Sequence, residues 1–68
     1  MNKNLLNSFM AKKGETQNDM AALLGISLSR VNAKINENGA QFNQTEIALL
    51  KKHYNLSPVD IDSIFFAI

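Results

Sequence analysis

The sequence predicts an all-α fold, a compact arrangement of five short helices, and three observations carry that prediction. Apolar residues recur three and four apart, as in Leu5, Leu6, Phe9 and Met10, then Leu28, Val31 and Ile35, then Ile47, Leu50 and Tyr54. Capping pairs stand ahead of the later runs: Thr16 with Asp19, Asn43 with Glu46, and Ser57 with Asp60. Stop signals follow them, with Gly14, Gly25 and Asn55 where a helix must turn out of its own path. Asn38-Gly39 can also open a β-hairpin, but no alternating pattern flanks it, so it reads as a helix-to-helix connection.

The first helix is expected over about residues 4–13. Its stripe of Leu5, Leu6, Phe9 and Met10 faces the rest of the domain. Lys12 and Lys13 near its end suit the negative pole of the helix, or a phosphate, and Gly14 stops it. The second helix starts at the Thr16 cap, places Met20, Ala21 and Leu24 on one face and ends at Gly25. Ile26 points inward, and Ser27 caps a third helix carrying Leu28, Val31 and Ile35. After the polar stretch around Asn38-Gly39, Phe42 anchors the chain ahead of a fourth helix that buries Ile47, Leu50 and Tyr54, with Ala48 and Leu49 beside them. Ser57-Pro58 restarts the chain, because proline loses nothing at the first helical position. The last helix bears Val59, Ile61 and Ile64 and runs into Phe65, Phe66, Ala67 and Ile68. So apolar an end divides between packing on the first helix and a dimer contact through Ile64, Phe65, Phe66 and Ile68.

With 68 residues, 46% of them hydrophobic, the chain makes one small domain, residues 1–68, and is too apolar to be disordered. It has no cysteine, so neither a disulfide framework nor a zinc finger is open to it. No apolar run reaches membrane length and the N-terminus lacks the apolar core of a signal peptide. A cytoplasmic protein without a membrane partner is therefore expected, and Met1 at the start with no linker composition near the end reads as a complete chain. The net charge is only +1, yet Lys3, Lys12, Lys13, Arg30 and Lys34 lie in the first half while Asp60 and Asp62 make the tail acidic. One end of the molecule can thus face phosphate while the other does not.

Residues 16–36 are organised as two short helices joined by a tight glycine-containing turn, the helix-turn-helix unit whose second helix enters the DNA major groove. Within them Gln17, Ala21, Gly25, Ile26, Ser27 and Val31 stand in the order and spacing of lambda-type phage repressors and Cro proteins, which the chain resembles. Ala21 is small where two helices cross, Gly25 permits the turn, and Ile26 and Val31 fill the space between the helices. Over nearly its full length, to the terminal Ile64-Phe65-Phe66, the chain also looks like the small Cro-like, XRE-type regulators of phages infecting Gram-positive bacteria.

The resemblance implies a lambda repressor-like domain that recognises double-stranded DNA, with no cofactor, metal or small-molecule substrate. Ser27 and Leu28 would lie at the end of the recognition helix that points into the groove, and Ser29, Asn32, Ala33 and Asn36 occupy positions of base or phosphate contact. Asparagine suits adenine, serine bonds base edges, and a small apolar group touches a thymine methyl. Arg30 would reach a guanine or a phosphate. Gln17 matches the glutamine that holds a phosphate and braces the recognition helix, while Asn43 at the start of the fourth helix would hold another phosphate. Two positions depart from the family. Leu28 is apolar where relatives present a polar reader, so it is either the rim of the core or a thymine contact. Lys34 stands where relatives are apolar; it is expected to lay its stem over the core and carry its charge to the DNA or to Glu37.

The function so implied is a sequence-specific transcriptional regulator, binding a two-fold operator as a homodimer. The alternative is an antirepressor or antitoxin-like module on the same fold, whose apolar tail meets a phage regulatory protein. An enzyme is not expected: His53 is the only histidine, and the acidic residues look scattered, without partners. His53 itself reads as a surface group near a helix end.

Overall fold

The structure, a computed structural model, describes residues 1–66. Among them the chain forms five α-helices and no strand: α1 (Lys3–Lys12), α2 (Gln17–Leu24), α3 (Leu28–Ile35), α4 (Gln44–Tyr54) and α5 (Pro58–Phe65). They pack into a body of 28 × 26 × 21 Å. At three helix starts a carboxylate three residues on accepts the N–H of the cap residue: Asp19 from Thr16, Glu46 from Asn43 and Asp60 from Ser57. α1 starts slightly earlier than its apolar stripe suggests, because the Asn2 side chain accepts the Leu5 N–H at 3.1 Å and caps it.

The stops follow the expected chemistry. Gly25 adopts φ +68°, a left-handed conformation open to glycine at little cost, and the Ile26 N–H returns to the Ala21 carbonyl at 3.1 Å. Asn55 ends α4 at φ +55°, the non-glycine residue type best suited to that region. The links are unequal. α2 and α3 are joined by residues 25–27 alone, whereas residues 36–43 lie between α3 and α4.

One core holds the helices together, built from Leu6 and Met10 of α1, Met20 and Ala21 of α2, Val31 and Ile35 of α3, Leu50 and Tyr54 of α4, then Leu56 and Ile64. Leu6, Met20, Leu50, Ile64 and Val31 are fully enclosed, and each such side chain stabilises the fold by roughly 1.5–3 kcal/mol. α5 closes the core against α1, and the Asn2 N–H donates to the Ile64 carbonyl at 2.7 Å. That placement corrects the expectation for the tail. Ile64 has no exposed surface and belongs to the core, so it is unable to be a dimer contact. Phe65 is half-buried and packs edge-on against Phe42, ring centres 5.8 Å apart. Phe66 keeps 62% of its surface exposed, and Ile68 lies outside the described residues.

Candidate nucleic-acid interface

α3 has two unlike sides. Val31, Lys34 and Ile35 are buried, while Leu28, Ser29, Arg30, Asn32 and Asn36 are exposed and Ala33 is intermediate. At about 100° per residue, Leu28, Ser29, Asn32, Ala33 and Asn36 share an arc of about 140°, with Arg30 beyond its edge. Leu28 is 44% exposed and lies outside the core, so it faces outward. It is the first residue of α3. Ser27 is occupied with capping: its Oγ accepts the Arg30 N–H at 3.2 Å and lies 3.3 Å from the Ser29 hydroxyl.

The amides of this side are linked into a row. The Asn32 side-chain N–H donates to Gln17 Oε1 at 3.4 Å, which ties α3 to the first residue of α2. Asn36 Nδ2 donates to the Asn32 carbonyl at 3.0 Å and to Asn32 Oδ1 at 3.3 Å, and Lys3 Nζ donates to Asn36 Oδ1 at 3.1 Å. Gln17, Asn32, Asn36 and Lys3 therefore run continuously across the starts of α2 and α1 and one face of α3. Lys3 was not among the expected site residues. It sits 33 residues from Asn36, and nothing local in the sequence joins them. Asn43 is exposed at the start of α4, where its Oδ1 accepts the Glu46 N–H at 2.8 Å.

Lys34 departs from its expected role. It is only 5% exposed, and its ammonium donates to Glu46 Oε1 at 2.7 Å and to the Gln41 carbonyl at 3.2 Å, 5.9 Å from the centre of the Phe42 ring. The charge is turned inward to α4, away from the exposed side of α3, and a DNA phosphate has no access to it. Glu37 pairs instead with the amino group of Met1. Burial disfavours the Glu46 carboxylate, but the Lys34 ammonium, the Asn43 N–H and the nearby Arg30 charge outweigh it and hold the carboxyl below its usual range.

A second polar cluster lies at the other end of α4. Glu15 accepts from His53 Nε2 at 2.9 Å and from the Tyr54 hydroxyl at 2.9 Å. His53 and Tyr54 meet edge to face, and Lys13 Nζ donates to the His53 carbonyl at 2.9 Å. Glu15 is thus a partnered acid, contrary to the expectation of scattered carboxylates, and His53 is one of its ligands rather than a plain surface group. The His53 hydrogen bond, helped by the Tyr54 hydroxyl and the charges of His53 and Lys13, lowers the Glu15 pKa against the opposing effect of burial. Burial, then the Glu15 hydrogen bond and charge, pushes the Tyr54 phenol up. The partners are separated by 38 and 39 residues, which hides the cluster from any local reading of the chain. No group of three or more metal-ligating side chains occurs among the described residues.

No family model, curated protein or solved structure matches the chain.

Proposed function

We propose that this chain is a sequence-specific DNA-binding transcriptional regulator of the Cro-like kind. In this reading α2 and α3 form a helix-turn-helix, and α3 is its recognition helix. The observation that carries the proposal is the amide row of half-buried Gln17 and exposed Asn32 and Asn36, with Lys3 at its end. Amides held in place before binding lose less freedom when they meet base edges, and an ammonium at the end of the row suits a phosphate. Asn32 and Ser29 would read base edges, Ala33 and Leu28 would meet thymine methyls, and Arg30 would take a guanine or the backbone. Gln17 is the first residue of α2 and Asn43 caps α4, and these helix starts would hold phosphates. A module this small buries little surface on DNA, so two copies on a two-fold operator are expected, with Phe65 and Phe66 at the contact between them.

Titration against fragments of the gene's own neighbourhood and against random duplex DNA, at several salt concentrations, tests the reading. One fragment should bind far more tightly, with log affinity falling linearly in log salt. Asn32→Ala should cut the preference for that fragment by about tenfold while leaving the helical circular dichroism intact. Equal, weak binding to every fragment would overturn the proposal.

The second reading, a protein-binding module on the same fold, draws on Phe66. Its exposed ring borders a groove of about 360 Å³ with Ile47, Ala48 and Ile61 on α4 and α5. Phe66→Ser should abolish self-association or capture of such a partner without unfolding the domain. A sedimentation coefficient that does not change with protein concentration would remove the dimer.

A further inference from the structure

The geometry points to Lys34 and Glu46 as positioning residues that set the register between the recognition surface of α3 and the start of α4. This inference rests on the DNA-binding reading. Lys34 lies one residue from the end of α3, and Glu46 is the third residue of α4. Their 2.7 Å pair spans the whole intervening segment, and each partner has a second bond within it. Lys34 Nζ holds the Gln41 carbonyl, and Glu46 Oε1 accepts the Asn43 N–H at 3.0 Å. The segment so tied bends sharply: Glu37 and Gly39 both have positive φ, at +53° and +74°. Chain stiffness alone does not fix the spacing between the helices, but the buried pair does.

The requirement for such a device follows from how the surface would be used. Base edges would be read from α3, while the α4 start with Asn43 would grip a phosphate, and both contacts form together only at one separation. Side chains on the buried side of α3 are apolar except for Lys34, and an apolar residue there would fill the space with less desolvation. A charged pair adds direction: it bonds at one distance and one angle, where packed methylenes tolerate sliding. No buried side-chain nitrogen or oxygen of the described residues lacks a partner, and Glu46 Oε1 is shared between the Lys34 ammonium and the Asn43 N–H.

The variant that separates positioning from other roles is Lys34→Met with Glu46→Gln. It removes both charges, approximately preserves volume, and leaves glutamine to complete the α4 cap. Native and variant chains would be titrated against the duplex selected by the native protein from a random pool, and against random duplex, across salt. The expected result is a ratio of selected to random affinity reduced about tenfold, with the slope of log affinity against log salt unchanged. Partial unfolding would weaken both affinities in the same proportion and leave the ratio intact. A direct phosphate contact from Lys34 would reduce the slope by about 0.9. Either of those outcomes, or a variant indistinguishable from the native protein, overturns the inference. A native protein that selects no sequence overturns the DNA-binding reading itself, which is a different failure. If the double variant does not fold, Glu46→Asp carries the test, since it keeps the charge and the cap chemistry of Asp19 and Asp60 but shortens the reach to Lys34 by one methylene; its ratio must also fall.

Discussion

Both ends of α4 are tied to distant parts of the chain through a carboxylate, and the two ties differ chiefly in their access to water. At the first end Lys34 and Glu46 have side chains 6% and 9% exposed, and the ammonium and carboxylate meet in near-dry surroundings. At the last end His53 and Glu15 are 31% and 21% exposed, with a phenol as third member. The buried tie is strong only while complete, because either partner alone is a charge without solvent. The wetter tie loses less when broken, since water replaces the missing partner. One element therefore has a dry tie at its start and a wetter one at its end, and the dry tie adjoins the proposed DNA-reading surface.

Breaking the buried tie should have the largest effect. Lys34→Met leaves Glu46 enclosed without a cation and should cost about 3 kcal/mol in urea unfolding. In a domain of this size that is most of the available stability. The double replacement with Glu46→Gln should recover the greater part, and a loss equal to that of Lys34→Met alone would show that the cost comes from lost packing rather than a stranded charge.

Glu15→Gln should destabilise less than Lys34→Met and should reshape the acid side of the stability profile. The folded pKa of Glu15 lies below its ordinary 4.5, so the unfolded chain binds more protons as the two states titrate. Stability from Glu15 is complete above that unfolded value and is lost as pH falls through the lower folded one. Glu46 contributes with the same sign, so the Glu15→Gln variant should keep part of the acid limb. Denaturant midpoints measured from pH 7 down to 3 give the comparison; identical limbs would mean the His53 and Tyr54 bonds add nothing to the carboxylate.

Tyr54→Phe should have the smallest effect near neutrality and a distinct one in alkali. The folded phenol titrates above its ordinary 10.0, so its contribution is present below that pH and is lost as pH rises past it. The phenylalanine variant should lose this alkaline decline while retaining the acid one, as read by circular dichroism between pH 8 and 11.

Helix starts and stops were legible because their chemistry is local. Thr16 with Asp19, Asn43 with Glu46, and Ser57-Pro58 with Asp60 each declare a helix within four residues, and Gly25 declares its end. The core stripe of α1 followed from spacing alone, as did Leu50 and Tyr54 of α4, but Ile47, expected beside them, is half-exposed and lies outside the core. What stayed hidden depends on distant partners. Lys34 looks like a lysine reaching over the core to DNA or Glu37 until Glu46 is placed beside it, and Glu15 looks isolated until α4 brings up His53 and Tyr54. The terminal run of Ile64, Phe65 and Phe66 is uniformly apolar, so composition does not distinguish the buried residue from the exposed one; the docking of α5 on α1 does. On the candidate surface, the contact positions of α3 and a bracing role for Gln17 came as expectations from the family resemblance, while Asn32 as the partner of Gln17, and Lys3, required the fold.

The four-residue helix starts also bear on the order of events in folding. A start that closes its own hydrogen bonds within one turn needs no tertiary partner to begin, so α2, α4 and α5 can flicker into helix before the core assembles. The Lys34–Glu46 tie has no such head start, since its charges must leave water together and only after both helices exist. Helix–coil exchange runs on a timescale of about a microsecond, so these starts are open to the chain before a pair that needs both helices can close.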